Sequence, residues 1–286
     1  MERIKEALEK ARQERAVGGG AGGGAVGRAG GAPADPAEIV YSRTRTAPVL
    51  RGTLRANRVI AGFDPGPFTD AYRILRTQVL KRLQKNGWNA LAVTSPGAHE
   101  GKTLTAVNLA ISLALEVNRT VLLVDANLRA PRVHELFGLP GSPGLSDYLT
   151  GDTPLEEILV HPDGIGRFVL LPGGKPILDS AEMLNSPKMA RLVEELKRRY
   201  PTRIVLFDLA PLLSAADALA FAPYVDAALL VVEEGATGTD ELERAAGLLK
   251  DTQLIGTVLN KAQQGPDEDE RPVGRGWLRR LFAGGT

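Results

Sequence analysis

Short runs that are apolar almost throughout alternate along this chain with segments whose apolar positions recur every three or four residues. The runs are Ala90–Val93, Val121–Asp125, Arg167–Leu171, Arg203–Asp208, Ala227–Glu233 and Leu254–Asn260. Strands of that kind are covered on both faces. Between them, helical spacing predicts helices over Thr69–Lys85, Leu104–Val117, Ser186–Tyr200, Ala215–Ala222 and Asp240–Lys250. Strands that take turns with helices connect by crossovers, which predicts an α/β domain with a mostly parallel sheet and helices on both faces. The pattern bounds that domain at residues 64–262.

Outside those bounds the pattern changes. Residues 1–15 place Ile4, Leu8 and Ala11 at helical spacing among charged helix formers, which predicts a short amphipathic helix. Residues 16–63 open on a Gly/Ala/Pro run with too little apolar surface to repay ordering, and they read as a flexible linker. Residues 263–286 form a polar and acidic stretch followed by GWLRRLF.

Composition narrows the chemistry. With no cysteine among 286 residues, disulfides, thiol nucleophiles and zinc–thiolate sites are excluded, and His99, His134 and His161 lack metal-ligand spacing. A formal net charge of +1 gives no general attraction to nucleic acid. No apolar stretch approaches the roughly 20 residues needed to span a bilayer. The charged start MERIKEALEK has no signal-peptide core, so a cytoplasmic protein is expected.

The segment Ser95–Thr103, SPGAHEGKT, joins a predicted strand to a predicted helix. It follows the phosphate-loop template, with Pro96 at the opening glycine position and Gly101, Lys102 and Thr103 closing it. Gly101 lets the backbone approach a phosphate. The loop amides of Gly97, Ala98, His99 and Glu100, continuing through Leu104 at the helix start, present partial positive charge to it. Lys102 would reach the terminal phosphates, and the Thr103 hydroxyl would ligate magnesium. A dinucleotide site requires G-x-G-x-x-G, a spacing that Pro96, Gly97 and Gly101 do not have. The expected ligands are therefore a nucleoside triphosphate and Mg2+. Asp125 and Asp208 end two predicted strands, and strand carboxyl ends face the ligand crevice in an open parallel sheet. Both carboxylates are metal candidates, directly or through water, the alternative for each being a cap on the next helix.

Several ordered motifs resemble the cytosolic domain of bacterial tyrosine kinases that serve polysaccharide synthesis, relatives of the MinD and ParA ATPases. TSPGAHEGKTLTAVNLAISLA is similar to their first Walker motif, VLLVDANLRAP to their Asp-x-Asp-x-Arg strand, and RIVLFDLAP to their Walker B strand. PGLSDYLTGDTPLEEIL, LLPGGKPILDSAEMLNSPKM and DAAL also match, and together these cover residues 63–261. The resemblance implies a P-loop fold of the MinD/ParA-like type and an ATP-dependent tyrosine kinase or ATPase. In it Lys102 stabilises phosphate charge, Asp125 accepts the hydroxyl proton, and Arg129 pairs with phosphate or carboxylate. Asn260 would read adenine, or only start a loop. Asp70, Arg73 and Arg76 resemble a Glu-x-x-Arg-x-x-Arg motif through which such kinases oligomerise; spacing alone also fits a solvated helix face. The partner implied is a membrane-embedded chain-length or co-polymerase protein that activates the kinase, beside further copies of the chain.

Two departures bear on activity. Asn127 stands where the Asp-x-Asp-x-Arg motif has its second aspartate, removing a carboxylate that would balance magnesium or take a proton. The last tyrosine is Tyr224, so the stretch after Asn260 offers no tyrosine cluster as acceptor. That stretch carries Trp277, Leu278, Leu281 and Phe282 at helical spacing opposite Arg279 and Arg280, resembling the membrane-targeting tail of MinD. One copy binds a membrane weakly, so such a tail would act in a dimer, or else dock on protein. These departures frame an alternative: an ATP switch that dimerises and recruits to a membrane or a membrane partner. A DNA-segregation ATPase fits less well, since its loop carries an extra lysine that Ser95–Glu100 lacks.

Overall fold

The computed structural model describes residues 44–262 apart from 117, 140–142 and 201. The predicted helix at 1–15, most of the predicted linker and the predicted tail, Trp277–Phe282 included, lie outside the described residues. Eight strands form one sheet: β1 (Arg45–Ala47), β2 (Ala90–Thr94), β3 (Thr120–Asp125), β4 (Val160–Pro162), β5 (Phe168–Leu171), β6 (Arg203–Asp208), β7 (Ala227–Glu233) and β8 (Gln253–Asn260). Their order is β1-β4-β5-β3-β6-β2-β7-β8. Every pairing is parallel except β4 with β5. The mostly parallel α/β class expected from the pattern is the one found.

The central apolar runs have no polar face because each face of the sheet is buried there, whereas the run Leu254–Asn260, expected to be covered on both faces, lies at the sheet edge as β8 and is only partly buried. Leu91, Val93, Val121, Leu123, Ile204, Leu206 and Leu229 pack into one cluster. Their alternates Ala90, Ala92, Leu122, Val124, Val205, Phe207 and Leu230 pack into the other. Helices α2 (Pro67–Asn86) and α3 (Lys102–Ala114) cover the first face. Helix α3 is apolar nearly all round because α2 covers its outer side, leaving Leu109, Ile111 and Leu113 buried. On the second face lies α8 (Pro187–Arg198), whose Met189, Leu192, Val193 and Leu196 form one stripe. Its start is set by Ser186, whose Oγ accepts from the Met189 amide at 3.2 Å, and by Pro187 in the first turn. Short helices α4 (Val133–Leu136), α5 (Leu145–Thr150), α6 (Leu155–Ile158), α7 (Ser180–Leu184) and α9 (Asp217–Phe221), then the longer α10 (Thr239–Leu248), complete the layers.

The domain begins earlier than the pattern indicates. Residues 44–63, assigned to the linker from sequence, include β1 at the sheet edge and α1 (Arg51–Ala56), with Leu54 and Val59 buried. Asn108 of α3 secures this segment. Its Oδ1 accepts from the Ile60 and Ala61 amides at 2.9 and 3.0 Å, and its Nδ2 donates to the Arg58 carbonyl at 3.1 Å. The apolar residues of 44–63 follow no sustained helical or strand period, and the Asn108 side-chain amide anchors the segment alongside the buried Leu54 and Val59. Among the described residues no helix is long and apolar enough to cross a membrane.

Candidate nucleotide site

The site lies where β2, β3 and β6 end. Ser95 to Gly101 connect β2 to α3, and Gly101 takes φ 88°, a left-handed conformation suited to glycine. A Cβ there would also stand 2.1 Å from Asn260 Nδ2. Lys102 and Thr103 open α3, so their side chains leave from the helix start beside the strand ends. Lys102 Nζ donates to Thr103 Oγ1 at 3.0 Å and to Asp208 Oδ1 at 3.4 Å, and Thr103 Oγ1 donates to Asp208 Oδ2 at 2.7 Å. Three of the predicted residues thus form one hydrogen-bonded group.

Asp125 is the register partner of Asp208 across β3 and β6, which places two carboxylates on neighbouring strands. Asp125 Oδ2 accepts from the Arg132 and Val133 amides at 2.9 and 3.0 Å, and its Oδ1 from the Asn127 amide at 3.3 Å. Burial pushes the Asp125 carboxyl up to about 7, and the charge of Asp208 adds to the rise. The Val133 amide, Lys102 and the Asn127 amide oppose it. Burial also raises Asp208, opposed by Lys102 and by the Thr103 hydroxyl. Gly173 lets the segment after β5 pass close against Asp125, since a Cβ there would sit 3.2 Å from Asp125 Cγ and would collide with Pro131.

The other predicted residues take different positions. Asn127 donates from Nδ2 to the Ala130 carbonyl at 3.1 Å, spending its side chain on its own turn. Arg129 reaches Asp217, a fully buried carboxylate at the start of α9, at 3.6 Å. Asn260 donates to the Glu100 carbonyl at 2.8 Å, directly against the phosphate loop. On α2, Asp70 and Arg73 pair in solvent at 2.8 Å. Arg76 departs from that face and pairs instead with Glu116 at 3.0 Å, also donating to the Ser112 carbonyl at 3.1 Å near the end of α3. Asp217 and Thr237 were not singled out from sequence. Thr237 donates to Glu100 Oε1 at 2.6 Å, and no local pattern of residues marks that contact.

The donors suit a magnesium nucleotide. Mg2+ is bound through one or two carboxylates with phosphate oxygens and waters completing its shell. The Thr103 hydroxyl with the Asp208 and Asp125 carboxylates is such a partial set of hard oxygen donors. Among the described residues no group of three or more His, Cys, Asp or Glu could hold a metal.

A glycine-turned loop between strand and helix, with lysine, threonine and two strand-end aspartates converging on it, defines a P-loop nucleoside-triphosphatase fold. The comparisons sharpen that class. The chain is 32% identical over 213 residues to the tyrosine-protein kinase YwqD of Bacillus subtilis, covering 73% of this chain and 88% of YwqD. It therefore belongs to the bacterial tyrosine-protein kinases. It spans only 26% of a longer relative, the tyrosine-protein kinase ptk of Acinetobacter johnsonii, to which it is 27% identical over 68% of its own length. The kinase domain of Escherichia coli tyrosine kinase ETK superposes with TM-score 0.66 at 26% identity, covering 81% of this chain and 95% of that domain. MinD of Pyrococcus horikoshii, at 23% identity and TM-score 0.50 over 65% of this chain and 74% of its own, shares the fold. No family model matches the chain.

Proposed function

We propose that the chain uses Mg-ATP at the Ser95–Thr103 loop to phosphorylate tyrosine. The observation that carries this reading is the hydrogen-bonded group of Lys102, Thr103 and Asp208 with Asp125 beside it. Mg2+, held by Thr103 and Asp208 with Asp125 near, would neutralise phosphate charge. Lys102 and the loop amides stabilise negative charge on the transferred phosphoryl group. The tyrosine oxygen forms a bond to the γ-phosphorus as the bond to the β,γ-bridging oxygen breaks, and ADP leaves. Asp125 receives the phenolic proton. Burial and the charge of Asp208 raise this carboxyl in the metal-free site, which favours its taking up a proton.

Residues 261–286 carry no tyrosine that could serve as acceptor. We place the activity at the cytoplasmic face of the cell membrane, activated by a membrane-embedded chain-length or co-polymerase protein in exopolysaccharide synthesis or export. The family resemblance of the motifs and the kinase relatives support that setting. Asp70 and Arg73 are exposed on α2 for contact with further copies, and Trp277, Leu278, Arg279, Arg280, Leu281 and Phe282 would add a weak membrane or partner contact. The test is transfer from γ-labelled ATP with magnesium to a glutamate–tyrosine copolymer and to the chain itself. Wild type should label phosphotyrosine and Lys102→Met should lose at least a hundredfold of the rate. A wild type that labels neither acceptor refutes the kinase reading.

A further inference from the structure

The carboxylates of Asp125 and Asp208 stand on the β3 and β6 side of the loop, so a terminal phosphate with its metal faces that side. The remainder of a bound nucleotide must leave in the other direction. On that side of β2 lie β7 and then β8, which end at Glu233 and Asn260. One run of hydrogen bonds links these strand ends to the phosphate loop. Glu100, 6% exposed, accepts from the Gly97 amide through Oε2 at 3.2 Å and from the Thr237 hydroxyl through Oε1 at 2.6 Å. Thr237 Oγ1 in turn accepts from the Glu233 amide at 2.9 Å. Asn260 Nδ2 donates to the Glu100 carbonyl at 2.8 Å, and the Asn260 carbonyl accepts from the Glu234 amide at 3.0 Å. Between Gly97 and Glu100 the loop passes through His99 at φ 66°, a left-handed conformation that a non-glycine residue keeps only where its surroundings hold it.

We infer that Glu100, Thr237 and Asn260 form a strut coupling the nucleoside half of the site to its phosphate half, with Thr237 as a positioning residue. The inference rests on the nucleotide reading above. A triphosphate alone needs the loop, Lys102 and Thr103. A nucleoside also needs the ends of β7 and β8 held in register with that loop, and the Thr237 hydroxyl joins the Glu100 carboxylate to the β7 end. Phosphate and nucleoside contacts should therefore reinforce each other in wild type and act separately without the hydroxyl.

The test compares dissociation constants of Mg-ATP and of magnesium tripolyphosphate by calorimetry on the whole chain. Their ratio reports what the nucleoside adds. Thr237→Val keeps the side-chain shape and removes the hydroxyl; Thr237→Ser restores it. Thr237 is half-buried on a loop, so neither change empties the core. The expected result is an ATP advantage over tripolyphosphate that falls about tenfold in Thr237→Val and returns to within about threefold of wild type in Thr237→Ser. If both ligands weaken equally in Thr237→Val, the hydroxyl merely shapes the loop and the coupling is wrong, while the nucleotide reading stands. If wild type binds neither ligand, the nucleotide reading fails and takes the strut with it.

Discussion

Replacing Asp125 by asparagine should destabilise the protein in acid and stabilise it above neutral pH. The carboxyl is fully buried and raised from 3.8 to about 7, chiefly by burial and then by Asp208. Its folded pKa exceeds its unfolded one, so between these values the folded state binds more protons than the unfolded state. Stability is then fully present below about pH 4 and is lost as pH rises through about 7. At about 1.4 kcal/mol for each pH unit between the two values, the ionised carboxylate costs the fold about 4 kcal/mol at pH 8. Asparagine carries no charge at any of these pH values, but it loses one acceptor for the Asn127, Arg132 and Val133 amides, worth about 1 kcal/mol. Asp125→Asn should therefore be about 1 kcal/mol less stable at pH 4 and about 3 kcal/mol more stable at pH 8. Urea unfolding in EDTA, without nucleotide, at pH 4, 5, 6, 7 and 8 measures the difference. A difference constant across that range would refute the argument that burial and Asp208 hold this carboxyl high.

Three other substitutions probe separate parts of the account. Asn127→Asp returns a carboxylate beside Asp125 and gives up the bond to Ala130. Initial rates of phosphotyrosine formation should rise about tenfold or more, and urea unfolding at pH 8 without metal should show a loss of about 1–2 kcal/mol. Gly101→Ala puts a Cβ against Asn260 Nδ2 at a φ of 88°, so calorimetry should find Mg-ATP affinity reduced at least about tenfold. Asn108→Ala strands the Ile60 and Ala61 amides and the Arg58 carbonyl. Unfolding should show a loss of about 2–4 kcal/mol, with limited proteolysis opening first within residues 44–63.

The central sheet was legible in the sequence because both of its faces are buried. Val121–Asp125 and Arg203–Asp208 have no polar alternation to confuse with a loop, and they recur as β3 and β6 within a residue of their expected bounds. Short spacing around one loop and the end of a strand marked Lys102, Thr103 and Asp208 as neighbours, and their side chains are hydrogen-bonded together. Residues 44–63 were not legible, because β1 is three residues long at the sheet edge and Asn108, which anchors Arg58, Ile60 and Ala61, reads as one more polar residue in a helix. The short α4, α5 and α6 are likewise too brief to show a period. Arg76 carried the right spacing for an outward motif yet turned to Glu116, since spacing fixes a helix face only to within the reach of a long side chain. Thr237 and Asp217 act at distances in sequence that no local pattern encodes. Thr237 meets Glu100 across 137 positions.

The measurement closest to the central claim is calorimetric titration of the whole chain with ATP in magnesium and again in EDTA, for wild type and for Thr103→Ala. Wild type should bind one ATP per chain with an affinity at least tenfold higher when magnesium is present, and Thr103→Ala should lose most of that magnesium dependence. Binding that ignores both magnesium and the Thr103 hydroxyl would contradict a metal–nucleotide site built on Lys102, Thr103, Asp125 and Asp208.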